Sequence, residues 1–219
     1  MRRDRQNRKG VFDVILDVIF PEFCVICDTM GRYICDECKN GKLQKIAGVH
    51  SFNPGEDSFL EEVIACVEYE KAAAKVLGEI KYNFYHAITG EIARMMQDRL
   101  AKAGITYDYL VPVPLSRKRQ NWRGFNQSEL IAKKISPNTL NALSRKSFKR
   151  PQVGLSRDAR LKNVKNAFRL KENIRGKTLV LVDDVMTTGA TLESCAAALK
   201  RGGAKRVYGL VWARDLLNE

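Results

Sequence analysis

The sequence predicts an α/β domain with a parallel β-sheet flanked by helices, preceded by a small cysteine-rich module. Residues 179–182 form a continuous apolar run, which suits a strand that is buried on both faces of such a sheet. A polar turn, a helix over residues 192–201 and a last strand over residues 206–213 follow, as in the strand–helix–strand unit of α/β folds. Four of the six cysteines lie within residues 24–38, which indicates a separate small module.

The rest of the chain adds elements on both sides of this unit. Apolar patterns predict strands over residues 62–70 and 107–115, a short strand near 166–170, and helices around 71–81, 87–102 and 128–135. We expect three parts: a basic arm with a short amphipathic helix (1–19), the cysteine module (20–45) and the α/β domain (59–219).

The charge balance is strongly basic. The 219 residues carry a formal net charge of +13, which favours attraction to polyphosphates or nucleic acid, although a cationic surface can also be merely solvating. Residues 11–20 are apolar but too short to span a bilayer, and they contain Asp13 and Asp17. We therefore expect no transmembrane segment and a cytoplasmic location.

The four clustered cysteines have metal-ligand spacing. Cys24, Cys27, Cys35 and Cys38 follow the pattern C-x2-C-x7-C-x2-C, and two such pairs can offer four thiolates to one tetrahedral zinc ion. The residues between the pairs have little else with which to build a core, so a structural Zn²⁺ would supply folding free energy. Two disulfides, or cysteines that bind nothing, are the alternatives.

The stretch after the apolar run has the composition of a ribose-phosphate site. Asp183 and Asp184 come first, and their carboxylates can accept hydrogen bonds from sugar hydroxyls or hold Mg²⁺. Gly189 allows close backbone approach, and free N–H groups at the start of a helix favour a phosphate. The predicted binding residues are Val185, Met186, Thr187, Thr188, Gly189, Ala190 and Thr191. The alternative is an ordinary buried strand followed by a capped helix.

A second anion site is predicted after the strand at 107–115. Pro112 and Pro114 end that strand and stiffen the turn, and Arg117, Lys118 and Arg119 follow directly. On charge alone this cluster could be a solvated loop, but its position at the end of a parallel strand favours a pyrophosphate site. The candidates there are Val113, Pro114, Leu115, Ser116 and Arg117.

Several segments resemble known proteins. TLVLVDDVMTTGAT resembles the phosphoribosyl-pyrophosphate (PRPP) loop of type I phosphoribosyltransferases. VPVPLSRKRQNWRGFNQSELIA, RPQVGLSRDARLKNVKNAFRL, KYNFY and FPEFCVIC…YICDEC resemble the ComF family of competence-associated phosphoribosyltransferase-like proteins, over residues 20–214. The resemblance implies a type I phosphoribosyltransferase-like sheet with an N-terminal zinc-ribbon-like module.

The resemblance also implies roles for these segments. Asp183 and Asp184 would contact the ribose hydroxyls, residues 186–191 would cradle the 5′-phosphate, and residues 113–117 would approach the pyrophosphate. In residues 145–169, by analogy with the flexible loop of these enzymes, the candidates are Arg157, Arg160 and Asn163; a surface linker is the alternative. The predicted catalytic residues are Asp183, Asp184, Arg157 and Arg160. Because no further cysteine pairs occur, we expect one zinc site, and Lys149 stands where the family commonly has threonine.

Two functional hypotheses follow. The first is a PRPP- or sugar-phosphate-binding protein that handles single-stranded DNA in natural transformation, with Mg²⁺ as cofactor and an uptake helicase or competence proteins as partners. The second is an active phosphoribosyltransferase in nucleotide salvage without a DNA role. No residue identifies the acceptor, since Trp122 and Phe125 could equally belong to the core or a hinge.

Overall fold

A computed structural model describes residues 21–43, 51–52, 58–83, 86–146 and 167–215. The predicted basic arm and amphipathic helix (1–19) lie outside these ranges. So do three loop candidates, Arg157, Arg160 and Asn163.

The main sheet has five strands in the order β1-β2-β7-β6-β3. Strands β2, β7, β6 and β3 are parallel, and β1 pairs antiparallel with β2 at one edge. Two further strands, β4 and β5, form a separate antiparallel pair. The bounds are β1 Ser51–Phe52, β2 Val63–Glu68, β3 Tyr109–Pro112, β4 Leu143–Arg145, β5 Phe168–Leu170, β6 Thr178–Met186 and β7 Arg206–Arg214.

Helices cover both faces of this sheet. Val180 and Val182 of β6 belong to a buried cluster with apolar residues of α1, α2 and α4, whereas Leu179 and Leu181 belong to a second cluster with residues of α5. The apolar run is therefore buried on both faces, as predicted. The helices are α1 Lys71–Tyr82, α2 Ile88–Ala103, α3 Arg117–Arg123, α4 Gln127–Ile135 and α5 Ala190–Arg201, with a short π-helical turn at Cys38–Lys42.

Strand β6 is longer than the apolar run that predicts it. It continues through both aspartates to Met186, and Val185 and Met186 pair with Ala213 and Arg214 of β7. The backbone ladder with β7 holds the strand here, although its side chains are no longer uniformly apolar. Beyond Val182, half-buried residues alternate with buried ones.

The basic cluster after β3 is helical rather than a loop. Ser116 precedes α3, and its side-chain oxygen accepts a hydrogen bond from the backbone N–H of Arg119 at 3.4 Å. The helix ends at Gly124, whose φ of 76° is the left-handed conformation common after helices. Three consecutive cations suggest a solvated loop, but the serine cap and the terminal glycine define a short helix.

The cysteine module packs against the α/β domain. Ile34 and Leu43 are buried in the same cluster as Ile64 and Leu77. Lys75 Nζ of α1 also donates to the carbonyl oxygen of Ile26 at 3.4 Å. None of the described helices has the length and apolar content that crossing a bilayer requires.

Candidate functional site

An open pocket lies where β6 passes into α5, and we call it the β6–α5 pocket. Parallel strands end at one edge of the sheet, and this pocket occupies that edge, where open α/β sheets bind ligands. Its turn is accessible, because Thr187, Thr188 and Ala190 are exposed. The lining consists of Asp183, Val185, Met186, Thr187, Thr188, Gly189, Ala190, Thr191 and Leu192, which brings together every predicted phosphate-binding residue.

Gly189 determines the shape of this turn. It has φ of 71° and ψ of −7°, a left-handed conformation, and stands directly before the first residue of α5. An added Cβ would lie 3.7 Å from Met186 Sδ, which is an ordinary contact. The position therefore favours glycine for its backbone conformation and not for lack of space.

Two glycine-to-alanine substitutions are expected to have opposite effects on stability. Gly189→Ala should lower the free energy of unfolding by about 1 kcal/mol, because a left-handed conformation is unfavourable for other residues. Gly78→Ala should raise it by roughly 0.5–1 kcal/mol, because Gly78 lies inside α1 and the added Cβ would meet nothing within 4 Å apart from its chain neighbours and the backbone of its own helix. Chemical denaturation measures both. A stabilising Gly189→Ala would contradict the conformational explanation.

Asp183 lies at the inner end of the pocket. Its Oδ1 accepts hydrogen bonds from Ser128 Oγ at 2.9 Å and from the backbone N–H of Asp184 at 2.9 Å. Burial, reinforced by the neighbouring Asp184 carboxylate, raises the pKa of Asp183 to about 8. Asp183 thus lies beside a second acid and is partly removed from water, and both features are typical of a functional carboxylate.

Asp184 faces the helices on the other side of β6. It is buried and forms a salt bridge with Lys81 at the end of α1. Gln127 Nε2 donates to Asp184 Oδ2 at 3.4 Å, and Arg123 Nη1 donates to Gln127 Oε1 at 2.6 Å. We call these four residues the Asp184 network, and they connect α1, α3 and α4 to the end of β6.

The sequence does not reveal these partners. Lys81 is 103 positions from Asp184 in the chain, and Gln127 and Ser128 look like ordinary first-turn residues of α4. One feature of the sequence could have indicated Gln127 and Ser128 as partners. They directly follow the turn that ends at Asn126, and that turn lies at the same edge of the sheet as the two aspartates. Asn126 also caps α4, since its side chain accepts a hydrogen bond from the N–H of Ser128.

The predicted second anion loop lies beside the acids. Pro112 at the end of β3 pairs with Val182 of β6, and the N–H of Val113 donates to the carbonyl oxygen of Val182 at 2.9 Å. The carbonyl oxygen of Val113 accepts a hydrogen bond from Asn126 Nδ2 at 3.0 Å. Pro114, Leu115 and Ser116 are half-buried, and Arg117 is exposed. The loop therefore begins next to Asp183 and ends at the exposed, positively charged side chain of Arg117.

The cysteine cluster has the geometry of a metal site. The Sγ atoms of Cys24, Cys27, Cys35 and Cys38 all lie within 4.8 Å of one another. Tetrahedral ligation at about 2.3 Å would place sulfur atoms about 3.8 Å apart. Backbone N–H groups of Cys35 and Cys38 also point at the sulfurs of Cys24 and Cys35, both at 3.4 Å. These four side chains could hold a metal ion.

Comparison with known proteins identifies the family. Residues 83–214, more than half of the chain, match the family model described as "Phosphoribosyl transferase domain". The chain belongs to this family. Its parallel sheet with flanking helices is therefore a phosphoribosyl transferase domain, as the PRPP-loop resemblance predicts, and the match includes both predicted loops.

Curated relatives confirm the resemblance to the ComF family. The chain is 32% identical over 162 residues to DNA utilization protein YhgH of Escherichia coli (strain K12), covering 69% of this chain and 70% of that protein. It is 29% identical over 209 residues to Competence protein F of Haemophilus influenzae, covering 89% and 86%. It is 36% identical over 212 residues to Competence protein ComFC of Bacillus subtilis, covering 87% and 78%.

Proposed function

We propose that this chain is a PRPP-binding, phosphoribosyltransferase-like protein of the ComF type that handles single-stranded DNA during uptake in natural transformation. The observation that carries the proposal is the β6–α5 pocket, where Asp183 lies beside an exposed, hydroxyl-rich turn at the start of a helix. The DNA setting rests on relatives named for competence and DNA utilization, and on the net charge of +13.

The pocket suits a phosphorylated sugar for separate reasons at its two ends. Around Gly189, threonine hydroxyls and backbone N–H groups at the start of α5 would bind the 5′-phosphate. Asp183 lines the other end of the pocket, and we propose that it and Asp184, the next residue of β6, accept hydrogen bonds from the ribose hydroxyls. Carboxylate oxygens are also the ligands that Mg²⁺ prefers, and the ion would neutralise charge on a departing diphosphate.

Cations on neighbouring elements would assist at the diphosphate. Residues 113–117 begin beside Asp183 and end at exposed Arg117, so they can approach the pyrophosphate. In our proposal Arg157 and Arg160 reach the leaving group from the segment between β4 and β5. Those two strands pair antiparallel, with Arg145 opposite Phe168, so both ends of that segment are held together. The protein's contribution is positioning and charge neutralisation.

The cysteine cluster would bind a structural zinc ion. Four thiolates favour zinc, and metal binding would stabilise a segment that has few core residues of its own. The proposed location is the cytoplasm, which suits a protein whose Cys66 and Cys195 are buried free thiols. An uptake helicase or other competence proteins are the proposed protein partners.

Fluorescence anisotropy of labelled single-stranded DNA tests this proposal. Binding should weaken steeply with rising salt, because each neutralised phosphate releases counterions. The series is run with and without PRPP and Mg²⁺, and calorimetry measures PRPP binding separately. A flat salt response, or no binding near ~100 mM salt, would reject the DNA role.

An active phosphoribosyltransferase in nucleotide salvage is the second candidate. Asp183 favours it, because this acid lines the pocket beside the phosphate turn, as catalysis at the ribose would require. Pyrophosphate release from PRPP with a panel of purine and pyrimidine bases is the test. Turnover with one base and no DNA binding would favour this candidate, and absence of turnover would favour a binding protein.

A further inference from the structure

Two exposed aromatic side chains contact each other beside the site. Tyr82 and Trp122 are 61% and 59% exposed, their ring centroids are 5.8 Å apart, and their planes are tilted by 58°. They come from different elements, Tyr82 from the end of α1 and Trp122 from α3. We call them the aromatic pair.

The surroundings of the aromatic pair are cationic. Arg117, Lys118 and Arg119 are exposed on α3, the same short helix that carries Trp122. The guanidinium of Arg123 lies 5.9 Å from the centroid of the Trp122 ring, within the range of a cation–π contact. Exposed aromatic rings among positive charges suit an anionic ligand with aromatic rings of its own that are not base-paired and are therefore free to stack.

The aromatic pair is also connected to the acids. Lys81, which binds Asp184, directly precedes Tyr82, and Arg123, which binds Gln127, directly follows Trp122. Both rings therefore stand at the outer end of the Asp184 network. Neither ring belongs to the lining of the β6–α5 pocket, so a ligand stacked there need not occupy the pocket.

We propose that the aromatic pair is a stacking platform for the bases of single-stranded DNA, with the cations of α3 contacting its phosphates. This inference rests on the proposed DNA role and assigns a surface to it. A single strand fits better than a duplex, because its bases are free to stack on protein rings. Charge complementarity favours a nucleic acid over an apolar protein segment.

Alanine substitutions test the platform. Tyr82→Ala and Trp122→Ala should each weaken binding of an oligothymidine strand by about 5- to 150-fold, the loss expected per stacked base. They remove no charge, so the salt dependence should keep its slope, whereas Lys118→Ala should reduce that slope by about one. Tyr69→Ala is the matched control, since Tyr69 is exposed but precedes α1, at the opposite end of that helix from Tyr82.

Tryptophan fluorescence gives an independent readout. The chain has two tryptophans, and Trp212 is fully buried whereas Trp122 is exposed. In a Trp212→Phe variant, oligothymidine should quench the remaining emission, because it stacks on Trp122. In a Trp122→Phe variant the same strand should leave the emission of Trp212 unchanged.

The outcomes separate the platform from the proposed function. If the wild-type protein binds no strand at low salt, the DNA role fails and the platform fails with it. If it binds normally and both alanine variants bind equally well, the DNA role stands and the platform is wrong. If free thymidine monophosphate quenches Trp122 at the same concentration as the strand, the occupant is a nucleotide and not DNA.

Discussion

Replacing both Asp183 and Asp184 by alanine is expected to abolish binding of PRPP with magnesium in calorimetry. Bound Mg²⁺ would favour the ionised form of both carboxylates. Each hydrogen bond to a charged group contributes roughly 1.5–3 kcal/mol, so losing two should cost roughly 3–6 kcal/mol. That corresponds to a fall in affinity of about two to four orders of magnitude, before any lost metal ligand is counted. Binding like that of the wild type would reject this site assignment.

Folding of the double variant can be separated from its binding. Burial raises the pKa of Asp183, so folding disfavours its ionised form and its loss should cost little stability. Loss of the buried Asp184 removes the partner of Lys81 and should lower stability, so thermal denaturation is used to check that the variant is folded at the assay temperature. Asp108→Ala is the matched control. Asp108 lies before β3 at the opposite end of the strands, where it accepts hydrogen bonds from the Thr178 N–H and Lys177. That variant should lose stability and keep its affinity for PRPP.

Replacing Cys24 and Cys27 by serine is expected to remove the bound metal and unfold residues 20–40. The wild-type protein should contain about one zinc ion per chain and the variant close to none. The larger domain should remain folded but become less stable, because Ile34 would leave the shared core. Burial of such side chains contributes roughly 1.5–3 kcal/mol each. Metal analysis and chemical denaturation measure the two effects.

A cysteine outside the cluster provides the control. Cys66 is buried in β2, and Cys66→Ala should leave the metal content unchanged while lowering stability through the smaller side chain. Thiol titration distinguishes the alternatives. Metal-free protein with four fewer reactive thiols after denaturation would indicate two disulfides, and metal-free protein with all thiols reactive would indicate that the cluster binds nothing.

Local patterns predict the strand, turn and helix around Gly189 well. The apolar run 179–182 indicates burial on both faces, and the turn chemistry follows from residues that are adjacent in sequence. The extension of β6 to Met186 is not predictable in this way. It depends on pairing with β7, more than twenty residues later, and hydropathy carries no information about that ladder.

The predictions that failed or were missing involve distant partners or short elements. Helix α3 has seven residues, too few for a periodic pattern among its charges. Strand β4 has three residues and is defined only by pairing with β5 across a long segment. Lys81 acquires its role because α1 ends near β6, and nothing in its neighbours in sequence indicates that position.

The contact between Lys81 and Asp184 has a consequence for how a metal would enter. If Asp184 binds Mg²⁺ as proposed, an ion arriving alone would have to displace the Lys81 ammonium from this carboxylate. An ion that arrives bound to a diphosphate would bring anionic oxygens with it. The displaced Lys81 ammonium could form an ion pair with these oxygens, so that no charged group would be left without a partner. The proposed site would therefore favour a metal–substrate complex over sequential binding of metal and substrate, and the released Lys81 would become an additional cation for the substrate.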